Sequence, residues 1–242
     1  MNPYQTAFQR AVHFGLLTGV EIPDSKEPVP EDVLSRLAPD LREHARSLGG
    51  YRQVDFVGGR LALQSSLRGL GREAECMPNE RGGLVLPQGV SGSISHKRTL
   101  AVALTARATH GGLGVDLENL EPAREGIAER VLLPEELAVV RALPEANQWV
   151  ATLLRFSFKE AVYKALNPFV PRYIGFEEAM VTPDTDQTAT IELRLANGEG
   201  PFQIEGRYLW LNGRVVTMVR VREGAAPPVR EQDMEPVQLD PS

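Results

Sequence analysis

Two carboxylates two residues apart make the first case for chemistry, in Gly114-Val115-Asp116-Leu117-Glu118. On a strand, residues i and i+2 point to one face about 6–7 Å apart. Asp116 and Glu118 would therefore repel unless water screens them or a cation sits between them. A hard divalent cation bound through oxygen would serve, and Mg2+ commonly takes one or two carboxylates together with substrate phosphates. Alone, D-x-E describes a strand with a wet acidic face equally well. On either reading, removal of one carboxylate is expected to leave the fold nearly intact.

Three more groups of residues could take part. In Phe156-Ser157-Phe158-Lys159-Glu160-Ala161-Val162-Tyr163-Lys164-Ala165-Leu166, a helix would place Glu160 and Lys164 on one face with Lys159 beside them. The same spacing is that of an ordinary surface ion pair worth a few tenths of a kcal/mol. Gly92-Ser93-Ile94-Ser95-His96 sets hydroxyls and an imidazole at a strand end, where they could hold a phosphate. It does not match the nucleophile elbow G-x-S-x-G, so a serine hydrolase gains little support. Arg52 and Arg60 would stand about 12 Å apart along a helix axis, a span that could bracket a nucleotide. Solvated helix arginines are the commoner case.

The elements that must position these residues are legible in outline. Pro30 and Pro39 precede EDVLSRL and DLREHARSL, where helices like to start. Phe56, Leu63, Leu67 and Leu70 recur at helical spacing from Tyr51 to Gly71, with Gly58-Gly59 tolerated for close packing. Val90 to Ala106 reads as a strand pair turning at Lys97-Arg98-Thr99, and Leu113 to Leu117 as a half-buried strand. A helical region runs roughly from Glu135 to Leu166 with a break near Pro144. Strands return beyond Pro171, and Asn212-Gly213 marks a hairpin between RYLWL and RVVTMVRV. Helix–strand blocks thus occur twice, an α+β arrangement with a seam near 107–113. The Pro-rich, polar stretch after Glu223 is expected to be disordered.

Composition narrows the choices. The 242 residues are 42% hydrophobic and 24% charged, the balance of a globular protein. No apolar run reaches the length of a membrane helix. MNPYQTAFQR lacks a basic region followed by an apolar core, so no secretory leader is expected. Cys76 is the only cysteine, which fits a reducing cytoplasm. The four histidines lie far apart, which argues against zinc. A net charge of −6 repels nucleic acid and anionic membrane, so neither is an expected partner. An anionic substrate would need a local basic pocket, for which Arg52, Arg60, His96, Lys159 and Lys164 are available.

Taken in order, these elements resemble the signature of the Sfp-type phosphopantetheinyl transferases, in particular the enterobactin-synthetase-activating branch. The similarity runs from about Tyr51 to Val181, through RQVDFVGGRLAL, LPQGVSGSISH, GVDLE, LPEEL, FSFKEAVYKAL and YIGFEEAMV. It implies a pseudo-dimer of two similar α/β halves with the active site in the cleft between them. Residues 1–110 would be the half on the coenzyme A side, 111–223 the metal and catalytic half, and 224–242 a tail. It also implies Mg2+-dependent transfer of phosphopantetheine from coenzyme A to a serine of an apo acyl or peptidyl carrier protein. Asp116, Glu118 and Glu160 would hold the metal, and Glu160 and Lys164 would be catalytic. Arg52, Arg60, Arg81, Ser95 and His96 would contact coenzyme A around its 3′-phosphate, and Lys159 and Lys164 would face the pyrophosphate. A pseudo-dimer needs no partner chain, so a monomer is expected. The sequence departs from the pattern at Leu86-Pro87, where relatives often carry Trp-Pro, and at Lys97, where they often have cysteine. Arg81 is the nearest match to a basic residue expected upstream. A non-catalytic module binding coenzyme A or a carrier, and a Mg2+-dependent phosphoesterase, are the rival readings.

Overall fold

Residues 3–73 and 83–224 are described by the computed structural model of this chain. Two strands unassigned by periodicity come first, β1 (Thr6–Val12) and β2 (Gly15–Glu21), paired antiparallel. Three helices follow, α1 (Glu31–Leu34), α2 (Pro39–Ser47) and α3 (Tyr51–Gly69). Pro30 caps α1, and Pro39 opens α2, where its missing N–H costs nothing. Strands β3 (Val90–Lys97) and β4 (Leu100–Arg107) complete an antiparallel sheet of order β1-β2-β4-β3.

The second half begins with β5 (Gly112–Asn119). Three helices come next, α4 (Ala128–Val131), α5 (Pro134–Arg141) and α6 (Glu145–Leu166). Pro144 is the N-cap of α6 and accounts for the break in the helical pattern. Strands β6 (Ala179–Pro183), β7 (Thr188–Leu193), β8 (Phe202–Leu211) and β9 (Arg214–Glu223) then join β5 in an antiparallel sheet of order β5-β9-β8-β7-β6. Asn212 and Gly213 both take positive φ, 44° and 74°, between paired Leu211 and Arg214. That is the two-residue turn whose twist suits a hairpin.

The two halves follow one plan, a sheet covered on its outer face by one long helix. Val54, Val57 and Leu61 of α3 pack on Val20, Ala101 and Ala103. Leu153, Phe158, Ala161 and Ala165 of α6 pack on Val215, Val219 and Val221. The inner faces meet through Leu17, Val102 and Leu104 on one side and Val115, Leu117, Val216 and Met218 on the other. The order of layers is therefore helix, sheet, sheet, helix. No helix among the described residues is long and apolar enough to cross a membrane.

Strand β5 departs from its expected half-buried character, because both of its faces are covered. Val115 and Leu117 enter the core between the sheets, while Gly114 and Asp116 alternate toward α6. Glycine is required there: a Cβ on Gly114 would lie 1.8 Å from the Ala161 carbonyl oxygen, and one on Gly112 would lie 2.2 Å from that of Ala165. The glycine of GVDLE thus lets the α6 backbone settle directly onto the strand. Gly58 of α3 serves the same end, since a Cβ there would meet Ile22 at 2.2 Å.

Strand β5 is also the edge of its sheet, and its outward N–H groups would be left unpaired. Strand β3 supplies the missing acceptors from side chains. The Val115 N–H donates to Ser93 Oγ (3.1 Å) and the Leu117 N–H to Ser95 Oγ (3.3 Å). Two hydroxyls thus close the seam between the sheets. Arg81, Cys76 and all of the expected tail except Gly224 lie outside the described residues.

The glycine contact yields a measurable expectation. Gly114→Ala sets a methyl against backbone, which cannot swing aside, so α6 must lift from β5. Chemical denaturation should show a loss of at least about 2 kcal/mol. A change within about 0.5 kcal/mol, the range of inert surface substitutions, would contradict the close approach.

Candidate active site at the seam

Asp116 is 5% exposed and is surrounded by three donor side chains from two elements. Ser95 Oγ of β3 donates to Oδ1 (3.0 Å), and Ser157 Oγ of α6 donates to Oδ2 (2.9 Å). Lys164, two turns further along α6, donates from Nζ to Oδ1 (2.9 Å) and to the Val115 carbonyl (2.9 Å). Ser157 stands one turn before Ala161, the residue over Gly114, so helical spacing lines it up with Asp116. The electrostatic problem posed by D-x-E is thus solved here by protein cations.

Glu118 is 6% exposed and faces two cations, Lys97 Nζ at 2.8 Å and Arg124 Nη2 at 2.7 Å from Oε2. Neither contact is aligned as a hydrogen bond, and Oε2 is left without a directional partner. Glu160 is half-buried and takes no hydrogen bond or ion pair from the described residues. Its carboxyl is pushed above the usual range, first by burial and then by the charge of Asp116, with Glu118 adding to this and Lys164 and Arg124 opposing it.

The three carboxylates therefore sense one another, and two of them hold unspent acceptor capacity. No group of three His, Cys, Asp or Glu among the described residues stands in metal-binding geometry. As a donor set, though, oxygen-only carboxylates with an unpartnered Glu160 suit a hard divalent cation. Such a cation would relieve the repulsion that raises the Glu160 carboxyl.

The other expected residues divide. Lys159, expected to meet the pyrophosphate, has its contacts elsewhere in this structure. It is 3% exposed, and its three donors go to Glu136 Oε2 (2.6 Å), the Val131 carbonyl (2.9 Å) and the Phe176 carbonyl (2.9 Å). Glu136 in turn accepts from the Leu133 and Val181 N–H groups, so the pair ties α4, α5 and β6 to α6. Burial pulls the Lys159 ammonium below its usual range, against the attraction of Glu136. Ser95 donates to Asp116 and accepts from the Leu117 N–H, so it braces the seam.

His96 stays accessible, its side chain 45% exposed, with Nδ1 3.3 Å from Asp55 Oδ1 on α3. Asp55 lies one turn from exposed Arg52, so the first half brings Arg52 and His96 into one neighbourhood. Arg60 is instead 3% exposed, its guanidinium 4.7 Å from the Phe56 ring centroid.

Asp55, Lys97, Arg124, Glu136 and Ser157 went unnoticed as partners in the sequence. Only Glu136 carried a local sign, since a Glu two residues after a helix-opening proline is placed to accept the cap N–H. A cleft of about 820 Å³ opens along the seam, lined among others by Leu86, Ser93, Leu113, Tyr163, Lys164 and Phe169. Lys164 joins this cleft to Asp116.

Comparison with known proteins agrees with this two-part plan. The model of the 4'-phosphopantetheinyl transferase superfamily matches residues 112–219, and that of the 4'-phosphopantetheinyl transferase N-terminal domain matches residues 42–106. The chain is 32% identical to 4'-phosphopantetheinyl transferase Svp of Streptomyces mobaraensis over 79% of this chain and 81% of that one. It is 32% identical to 4'-phosphopantetheinyl transferase Npt of Nocardia iowensis, over 78% and 82%. With enterobactin synthase component D of Salmonella typhimurium the identity is 33%, over 73% and 75%.

The raised Glu160 carboxyl has a consequence for stability. An acid whose folded-state pKa lies above its unfolded value costs nothing while protonated in both states. As pH rises from the ordinary glutamate value to the raised one, the unfolded chain gives up its proton first and the fold is progressively destabilised, the loss being complete above the raised value. In metal-free protein, Glu160→Gln should therefore be more stable than the parent at pH 7.5. The advantage should vanish at about pH 4, near the ordinary glutamate value. Urea unfolding in EDTA at the two pH values reads this, and an equal difference at both would contradict it.

Proposed function

The chain belongs to the 4'-phosphopantetheinyl transferase superfamily, and on that basis we propose that it transfers phosphopantetheine from coenzyme A to a carrier-protein serine. One structural observation carries the proposal to residues. Half-buried Glu160 shares the seam with Asp116, Glu118 and Lys164, beside a cleft of about 820 Å³. The division of labour would follow the chain, with 1–110 on the coenzyme A side and 111–223 on the metal and catalytic side. Apo acyl or peptidyl carriers would be the partners, and a single chain in the cytoplasm would suffice.

Asp116, Glu118 and Glu160 would hold Mg2+, which when bound supplies charge that polarises the pyrophosphate and offsets the negative charge of the leaving group. Lys164 has three donors, and two are held by Asp116 and the Val115 carbonyl. The third is left for a phosphate oxygen in the cleft. Fixing the ammonium beforehand is the kind of preorganisation that makes electrostatic stabilisation effective. Arg52 and His96, with Arg60 behind them, would engage the 3′-phosphate. Arg81 joins that set on resemblance alone.

The carrier serine oxygen would form a bond to the β-phosphorus while the bond from that phosphorus to the bridging oxygen breaks. The products are the phosphopantetheinyl serine and adenosine 3′,5′-bisphosphate. Glu160 would take the serine proton, directly or through water.

Intact-mass measurement on a small panel of apo carriers, with coenzyme A and Mg2+, tests the reaction. One phosphopantetheine should be added per carrier, adenosine bisphosphate should be released only when a carrier is present, and EDTA should abolish both. No gain on acyl, polyketide or peptidyl carriers with folded protein would point to a binding module. Bisphosphate release without a carrier would point to a phosphoesterase.

A further inference from the structure

Glu118 is an unusual buried carboxylate, with two cations crowding one of its oxygens and neither aligned as a hydrogen-bond donor to it. The two cations are held very differently. The Arg124 guanidinium lies 4.8 Å from the Phe156 ring centroid and 6.0 Å from that of Trp149, so aromatic faces fix it. Trp149 itself donates from Nε1 to the Leu120 carbonyl, fastening the segment that leads to Arg124. Lys97 has no such support. It ends β3 at a two-residue turn, its side chain is 31% exposed, and Glu118 is its one ion-pair partner among the described residues.

We propose that Lys97 is a tethered counter-ion for Glu118, released when Mg2+ takes the carboxylate and then free to meet the cofactor's phosphates. The proposal rests on the metal reading given above. Its physical content is competition followed by exchange. While Lys97 sits on Oε2, a divalent cation must displace it, so metal binding to the free protein is weakened. Once displaced, the ammonium swings on its four-carbon stem at the same strand end as His96. An anionic cofactor nearby gives it a new partner. Metal and coenzyme A thereby favour each other through one side chain, and the linkage must be reciprocal. Arg124, pinned by its rings, stays as the permanent charge at Glu118.

The test is binding rather than turnover. Calorimetric titration would measure Mg2+ affinity without coenzyme A, and coenzyme A affinity at low and at saturating Mg2+. The proteins are the parent, Lys97→Met, which keeps the stem without the charge, and Lys97→Arg, which keeps the charge. Loss of one partly exposed ion pair corresponds to a factor of roughly 3–5. Lys97→Met should therefore bind Mg2+ about three- to fivefold tighter without coenzyme A. The gain in coenzyme A affinity brought by Mg2+ should shrink by a similar factor, and Lys97→Arg should behave as the parent. Equal or weaker Mg2+ binding by Lys97→Met would overturn the proposal while leaving the metal site standing. Absence of Mg2+ binding to parent and variants, with or without coenzyme A, would overturn both.

Discussion

An acidic side chain buried under the outer helix, where two sheets meet edge to edge, is the constraint on which this structure depends. Asp116 has almost no contact with water, and an isolated carboxylate in such a place is prohibitively unfavourable. It persists because Ser95 from one sheet, Ser157 and Lys164 from the outer helix and the β5 backbone beside it form a closed set of partners. Those same partners hold β3 and α6 against β5. Joining the halves and fixing Lys164 at the cleft are therefore one piece of chemistry.

The packing makes this possible at short range. Because Gly112 and Gly114 let α6 lie directly on β5, side chains as short as serine can span from helix to strand. The Ser93 and Ser95 hydroxyls do the corresponding work on the other side, replacing a backbone ladder that the two edge strands do not form. Ionic contacts away from this hub are arranged by burial. The Lys159–Glu136 pair is sealed and structural, whereas Lys97 and Arg124 meet Glu118 at a partly open margin. Of these, Lys97, without an aromatic face to hold it, is the one able to change partners when a ligand arrives.

Much of this was legible in the sequence, and the exceptions have physical causes. The GVDLE strand, the long helix carrying Glu160 and Lys164 and the Asn212–Gly213 hairpin were readable because period and turn chemistry are local. β1 and β2 were not, since TAFQRAV and GLLTGVE carry little regular alternation and gain their strand character from pairing with each other and with β4. The surroundings of Lys159 were hidden for a related reason. Helical spacing places it beside Glu160, but the side of α6 covered by α4, α5 and β6 is settled by packing. Ser95 looked like a phosphate ligand because the strand opposite it is remote in sequence. Ion pairs such as His96–Asp55 and Glu118–Arg124 join elements that only tertiary structure brings together.

The most direct test of the central claim is equilibrium unfolding of Asp116→Ala in metal-free buffer. Read as one of two repelling strand carboxylates, Asp116 could be removed with no loss, or even a gain, in stability. Read as the hub of the seam, its removal strands the Ser95 and Ser157 hydroxyls and leaves Lys164 without its buried partner. The account predicts a loss of about 2–4 kcal/mol in unfolding free energy. Stability equal to or above that of the parent would contradict it.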